Sequence, residues 1–136
     1  MLIDAQHPTA GLRMLSALRR GKTVVAYLDG NTGTLPNDES ANAITIPFLK
    51  GKMRVRIGLA ALAYVAGVPL YSIVSEPVDG RAVAMRCLRA TEPCRGSDRS
   101  DFSRQTTETL YGDLQTIVKQ QPWKWENWLS VHEQLQ

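Results

Sequence analysis

Between Ile57 and Glu76 the chain reads IGLAALAYVAGVPLYSIVSE, two apolar runs separated by Gly67 and Pro69. The first run is small and apolar on every side. A helix of that kind has no polar face to give to water, so it must be buried. Gly67 is the residue type that ends helices in the left-handed conformation. The second run, 69–76, is rich in β-branched and aromatic residues and reads as a buried strand. A buried helix that leads within three residues into a buried strand points to helices layered on a sheet.

The flanks extend this pattern. TAGLRMLSALRR, 9–20, places Leu12, Leu15 and Leu18 on one helical face, with Gly21 as its stop. TVVAYLD, 23–29, is almost continuously apolar and reads as another strand buried on both faces, the kind found in parallel sheets. AITIPF, 43–48, is a short strand stopped by Pro47. RAVAMRCLRA, 81–90, follows a turn at Pro77, Asp79 and Gly80 and alternates as an antiparallel partner strand. Ser100 or Asp101 can cap a helix running to about Gln121, with Phe102, Leu110, Leu114, Ile117 and Val118 as its inward face. Pro122 breaks it, and WKWENWLSVHEQL reads as a last helix. The expected fold is one α/β domain over 1–136, with a mixed, mostly parallel sheet flanked by helices.

A chain of 136 residues, 43% of them hydrophobic, can bury a core without disulfides or metals. No run approaches the roughly 18 apolar residues of a membrane span. The opening MLIDAQHP lacks the basic start and apolar core of a secretion signal, so a cytoplasmic protein is expected. Cys87 and Cys94 form no CxxC and have no neighbouring histidine, which makes them inert thiols. Gly21-Lys22-Thr23 ends like a phosphate-binding P-loop, but Ser16 stands where that pattern needs glycine, and a strand follows instead of a helix. Asp29 opens like a calcium loop, yet Thr34 and Ser40 occupy the positions that need glycine and glutamate. His7 and His132 lack a catalytic setting, and Ser72 and Ser75 lack a nucleophile elbow. No metal or cofactor is implied.

Two stretches carry the functional reading. In YLDGNTGTLP, 27–36, Asp29, Gly30, Asn31 and Thr32 stand where an apolar run stops. They are either a plain turn or a loop whose backbone N–H groups cradle an anion at the carboxyl edge of a sheet. In KGKMRVR, Lys50, Lys52, Arg54 and Arg56 alternate along one edge. They are either a solvated basic rim or a surface for phosphate or acidic groups. The net charge of +3 admits an acidic partner and selects none.

Taken in order, three segments resemble one family. YLDGNTG is similar to the strand of glycerolipid acyltransferases that ends Phe-x-Glu-Gly-Thr-Arg-Ser. IPFLKGKMRVRIGLAALAYVAGVPLYSIV, 46–74, resembles that family's Pro-Phe, basic-glycine step, Ala-rich helix and Gly-x-Pro strand. LQTIVKQQPWKWENWLSVHEQL looks like the C-terminus of the bacterial lipid A lauroyl/myristoyl acyltransferases. The resemblance implies an incomplete version of the acyltransferase fold. It also implies a fatty acyl donor (acyl-carrier protein or acyl-CoA) and a lipid acceptor hydroxyl. Asp29, Gly30, Asn31, Thr32, Lys50, Arg54 and Arg56 would form the substrate-binding floor.

The family's His-x4-Asp block is missing: Leu12 stands five residues after His7, and the chain ends four residues after His132. The arginine of the Thr-Arg-Ser ending is also replaced, by Gly33, and Ser72 stands where the strand's second proline is usual. The chain therefore resembles the C-terminal half of such an enzyme. The alternative is a non-catalytic module that binds lipid or acyl carrier. A truncated α/β domain exposes a sheet edge, so self-association is expected. Trp123, Trp125 and Trp128 either anchor at the cytoplasmic face of a membrane, as a peripheral contact, or pack in the core. Nucleic acid, the competing class of partner, is not favoured, because no aromatics interleave with the basic run.

Overall fold

The computed structural model describes residues 2–4, 7–28, 42–78, 82–94 and 96–125. Three helices and two separate β-hairpins make up its regular structure. In chain order these are α1 (Ala10–Arg19), β1 (Ala43–Phe48), β2 (Gly51–Arg56), α2 (Gly58–Ala66), β3 (Leu70–Val78), β4 (Ala82–Thr91) and α3 (Arg99–Gln120). A 3-10 turn, Pro122–Lys124, follows α3. The coarse α/β class holds.

The mostly parallel sheet does not. β1 pairs with β2 and β3 with β4, both antiparallel, and the described strands form two two-stranded sheets. The expected strand at 23–29 is absent over its described residues, 23–28. Val25 and Tyr27 are 83% and 84% exposed. No described strand lies beside them to accept their backbone hydrogen bonds, and β-branched composition alone does not supply one.

The core forms where the first hairpin meets α3. Strand alternation turns Ile44, Ile46 and Phe48 of β1 and Met53 and Val55 of β2 to one face, where all are buried. Tyr111 and Val118 of α3 and Trp125 complete the cluster. Phe48 sits at its centre, 6.3 Å from the Tyr111 ring edge-on and 5.6 Å from Trp125. Trp125 thus packs inside, Trp123 is exposed, and Trp128 lies outside the described residues. Pro47 does not stop β1; it faces outward opposite Lys52 within the ladder.

The helices follow their local signals closely. Asp98, two or three residues before the expected caps, accepts hydrogen bonds from the N–H groups of Ser100 (2.7 Å) and Asp101 (3.1 Å) and starts α3. Gly67 ends α2 at φ 65°, a conformation that a β-carbon would strain. Ala60 and Ala63 of α2 are buried, and Tyr64 stacks obliquely on Phe102 of α3 at 5.5 Å. On α1 the buried residues are Ala10 and Ala17, while Leu12 is 70% exposed. The small residues therefore make the close approach, and of the expected face Leu15 and Leu18 are half-buried while Leu12 meets solvent.

The second hairpin is built the other way round. Its cross-strand pairs place Tyr71, Ile73, Met85 and Val83 on one face, with exposures of 57%, 55%, 76% and 68%. The opposite face carries Glu76, Arg86 and Arg89. Arg89 is bound by both oxygens of Asp113 on α3, at 2.8 and 3.0 Å. Arg86 pairs with Glu76 at 2.6 Å. In each pair the hydrogen bond and then the charge of the carboxylate raise the arginine pKa above its ordinary value. β3 is thus not the buried strand its composition suggests.

Candidate anion-binding site

The basic run becomes strand β2 because Met53 and Val55 alternate with its charges and bury on the core side. The same alternation puts Lys52, Arg54 and Arg56 together on the outer face. Lys52 and Arg56 are exposed and Arg54 is half-buried. Across the ladder Lys52 faces Pro47, Arg54 faces Thr45 and Arg56 faces Ala43. Neighbours on this face are two residues apart, about 7 Å. Arg54 and Arg56 can thus reach one phosphate together, with guanidinium forks suited to its oxygens.

Lys50 is set apart. It belongs to the two-residue turn between Phe48 and Gly51, six positions from Arg56 and so at most about 20 Å along the strand. It can meet a second anionic group but not share the phosphate held by Arg56. The turn itself is strained, because Leu49 has φ 53°, where glycine is the usual occupant. Such a residue costs about 1 kcal/mol or more. Two contacts hold it: its N–H donates to the side-chain oxygen of Gln115 on α3, and its side chain packs against the core. The tip that carries Lys50 is therefore clamped to α3.

Asp29, Gly30, Asn31 and Thr32 lie outside the described residues. The two ends of their segment are placed. Leu28 packs against the core cluster, and its carbonyl accepts the Tyr111 hydroxyl at 3.3 Å. Asn42 leads into β1, and its carbonyl accepts the Ile57 N–H at 2.9 Å. Both ends are thus tied to the module that carries the cationic face, and Asn42 adjoins the end where Arg56 stands.

His7 is engaged at the start of α1. Its Nδ1 accepts from the Thr9 N–H at 3.2 Å and lies 2.9 Å from the Thr9 hydroxyl. The ring thus bonds Thr9, the residue just before α1. Among the described residues no cluster of His, Cys, Asp and Glu could hold a metal ion, and no helix is long and apolar enough to cross a membrane. A shallow groove of about 220 Å³ on α1, lined by Leu12, Arg13, Ser16 and Arg20, contains none of the expected site residues. The signal that could have revealed β2 was the alternation of Met53 and Val55, hidden within a charge run. In comparisons with known proteins, the chain matches no family model, no curated protein and no solved structure.

Proposed function

We propose that this chain is the anion-gripping part of an acyltransferase-like protein, acting at the cytoplasmic face of the inner membrane. The reaction of such a protein moves a fatty acyl group from acyl-carrier protein or acyl-CoA to a lipid acceptor hydroxyl. All three of these partners are acidic or phosphorylated. The observation that carries the reading is the cationic face of β2: Lys52, Arg54 and Arg56 in one row, backed by the most deeply buried part of the molecule. A preorganised row of cations on a rigid strand loses little entropy on binding. The sequence resemblance across 27–33 and 46–74 gives the anion its chemical setting.

The sequence lacks the His-x4-Asp block that would supply a base for the acceptor hydroxyl. His7 is occupied with Thr9, and Leu12 stands where an aspartate would orient it. A missing base costs roughly 10²–10⁴ in rate. Transfer by this polypeptide alone is therefore expected to be very slow, and its contribution is to hold the substrate. The second reading, a stand-alone lipid or acyl-carrier-binding module, uses the same face. It is favoured by the engagement of His7 Nδ1 with Thr9.

Titration of the purified chain with acyl-carrier protein, and with vesicles of phosphatidylglycerol or phosphatidylcholine, tests both readings. Saturable binding to an acidic partner, weakened by salt and at least tenfold by Arg54→Ala with Arg56→Ala, is expected. Equal binding to phosphatidylcholine, or none to either acidic partner, would overturn the proposal. Rapid acyl transfer by the chain alone would contradict the account of the missing base. Duplex or single-stranded DNA bound more tightly than the lipid would return the nucleic-acid reading.

A further inference from the structure

The arginines of the second hairpin are held by carboxylates, Arg86 by Glu76 and Arg89 by Asp113. The cations around α1 are not. From Thr9 to Leu28 the chain carries Arg13, Arg19, Arg20 and Lys22 and no acidic residue. All four are exposed, and none is in an ion pair among the described residues. The negative pole of the helix lies where Arg19, Arg20 and Lys22 stand. It amounts to roughly half a charge, so three cations leave that end net positive.

Helical periodicity gathers part of this charge. At 3.6 residues per turn, Arg13, Ser16 and Arg20 fall within about 60° of one another round the helix, and Arg13 and Arg20 stand about 10 Å apart along it. With Leu12 they line a groove of about 220 Å³. A water occupies about 30 Å³ of liquid, so the groove has room for a phosphate and the first atoms of its ester. Arg20 closes one end. Its Nε–H donates to the Ser16 carbonyl, in the last turn of α1, at 3.1 Å. That bond folds the side chain back along the helix and leaves the four Nη–H donors of the guanidinium for a ligand. Arg13 stands at the other end. Between them, the Ser16 hydroxyl has no hydrogen-bond partner among the described residues.

We infer that the α1 groove is a binding site for a phosphate monoester. Such a group presents three terminal oxygens and close to two negative charges at neutral pH. Two guanidinium forks with a hydroxyl between them offer donors to all three oxygens, and the forks match the edges of a phosphate. Leu12 gives the first carbons of the ester an apolar contact. A phosphodiester has one charge and two free oxygens, so it engages fewer donors and is held more weakly. The monoester is shared chemistry between a soluble metabolite and a lipid headgroup. The site is independent of the role proposed for β2, because it uses other residues on another element.

Residue-resolved NMR of the full chain reads the site, at low salt and about pH 7.5, above the second pKa of a monoester at about 6. The probes are phenyl phosphate and dihexanoyl phosphatidic acid, with dihexanoyl phosphatidylglycerol as the diester control. Both monoesters should shift residues 12–20 saturably, and phosphatidylglycerol should leave them unmoved. Tighter binding of phosphatidic acid supports a lipid source, and equal binding supports a soluble one. Arg13→Ala with Arg20→Ala should weaken monoester binding at least tenfold. Arg99→Ala with Arg104→Ala removes two exposed arginines of α3, the same change in charge, and should leave it intact. Arg54→Ala with Arg56→Ala should also leave it intact, so this site and the β2 face fail separately. The inference is overturned if neither monoester shifts 12–20 or if phosphatidylglycerol shifts them equally. Binding that survives Arg13→Ala with Arg20→Ala, or is lost with the α3 pair, overturns it too.

Discussion

The two hairpins of this chain are made from similar material and face opposite ways. In β1–β2 the apolar side chains point at α3 and the cations point at water. In β3–β4 Tyr71, Ile73, Val83 and Met85 point at water, while on the other face Arg89 bonds Asp113 of α3 and Leu70 and Val74 are half-buried. The first arrangement is what a half-buried antiparallel ribbon does when its core is local and complete. Phe48, Met53 and Val55 are 1%, 2% and 0% exposed, so this hairpin needs nothing further. The second leaves Tyr71, Ile73, Val83 and Met85 more than half exposed. Stability therefore resides in the first hairpin, and unmet valence in the second.

The sharpest way to break this contrast is a matched pair of truncations. Phe48→Ala removes a buried ring with two aromatic neighbours and should destabilise the fold by about 3–5 kcal/mol, read by urea denaturation. Ile73→Ala in the second hairpin should cost less than about 0.5 kcal/mol in dilute solution. Equal losses would mean that the hairpins do not differ as described. Next in size, Gly67→Ala forces a β-carbon onto φ 65° at the end of α2 and should lower stability by about 1–2 kcal/mol. Asp98→Ala removes the side-chain cap of α3 and should cost about 1 kcal/mol, with Asp98→Asn recovering most of it. Smallest is Asp113→Ala, which breaks a partly exposed pair with Arg89. The expected change in melting temperature is at the edge of detection, because solvent screens such pairs.

The parts of this fold legible in the sequence are those set by contiguous residues. Gly67 after an apolar helix, the polar loop before α3, and the alternation of 81–90 all act through near neighbours, and their elements appear within one to three residues of expectation. The parallel sheet failed because it required partners distant in the chain, and composition is silent about partners. TVVAYLD has the residues of a buried strand, yet Val25 and Tyr27 meet solvent. PLYSIVSE misled for the same reason: its apolar residues suggested burial, and β3 turns Tyr71 and Ile73 outward while Leu70 and Val74 are half-buried. The cationic site was half legible. Its alternating charges were plain, but no strand was assigned to them, because only Met53 and Val55 between them are apolar enough to bury a face. That strand separates Lys50, at the tip, from the row formed by Lys52, Arg54 and Arg56.

The most direct measurement is residue-resolved NMR of the chain titrated with dihexanoyl phosphatidylglycerol at low and high salt. The account predicts backbone shifts concentrated at residues 52–56, suppressed by salt and lost in Arg54→Ala with Arg56→Ala, while 71–87 stay unmoved. Shifts confined to the second hairpin or to α1, or shifts indifferent to salt, would contradict it.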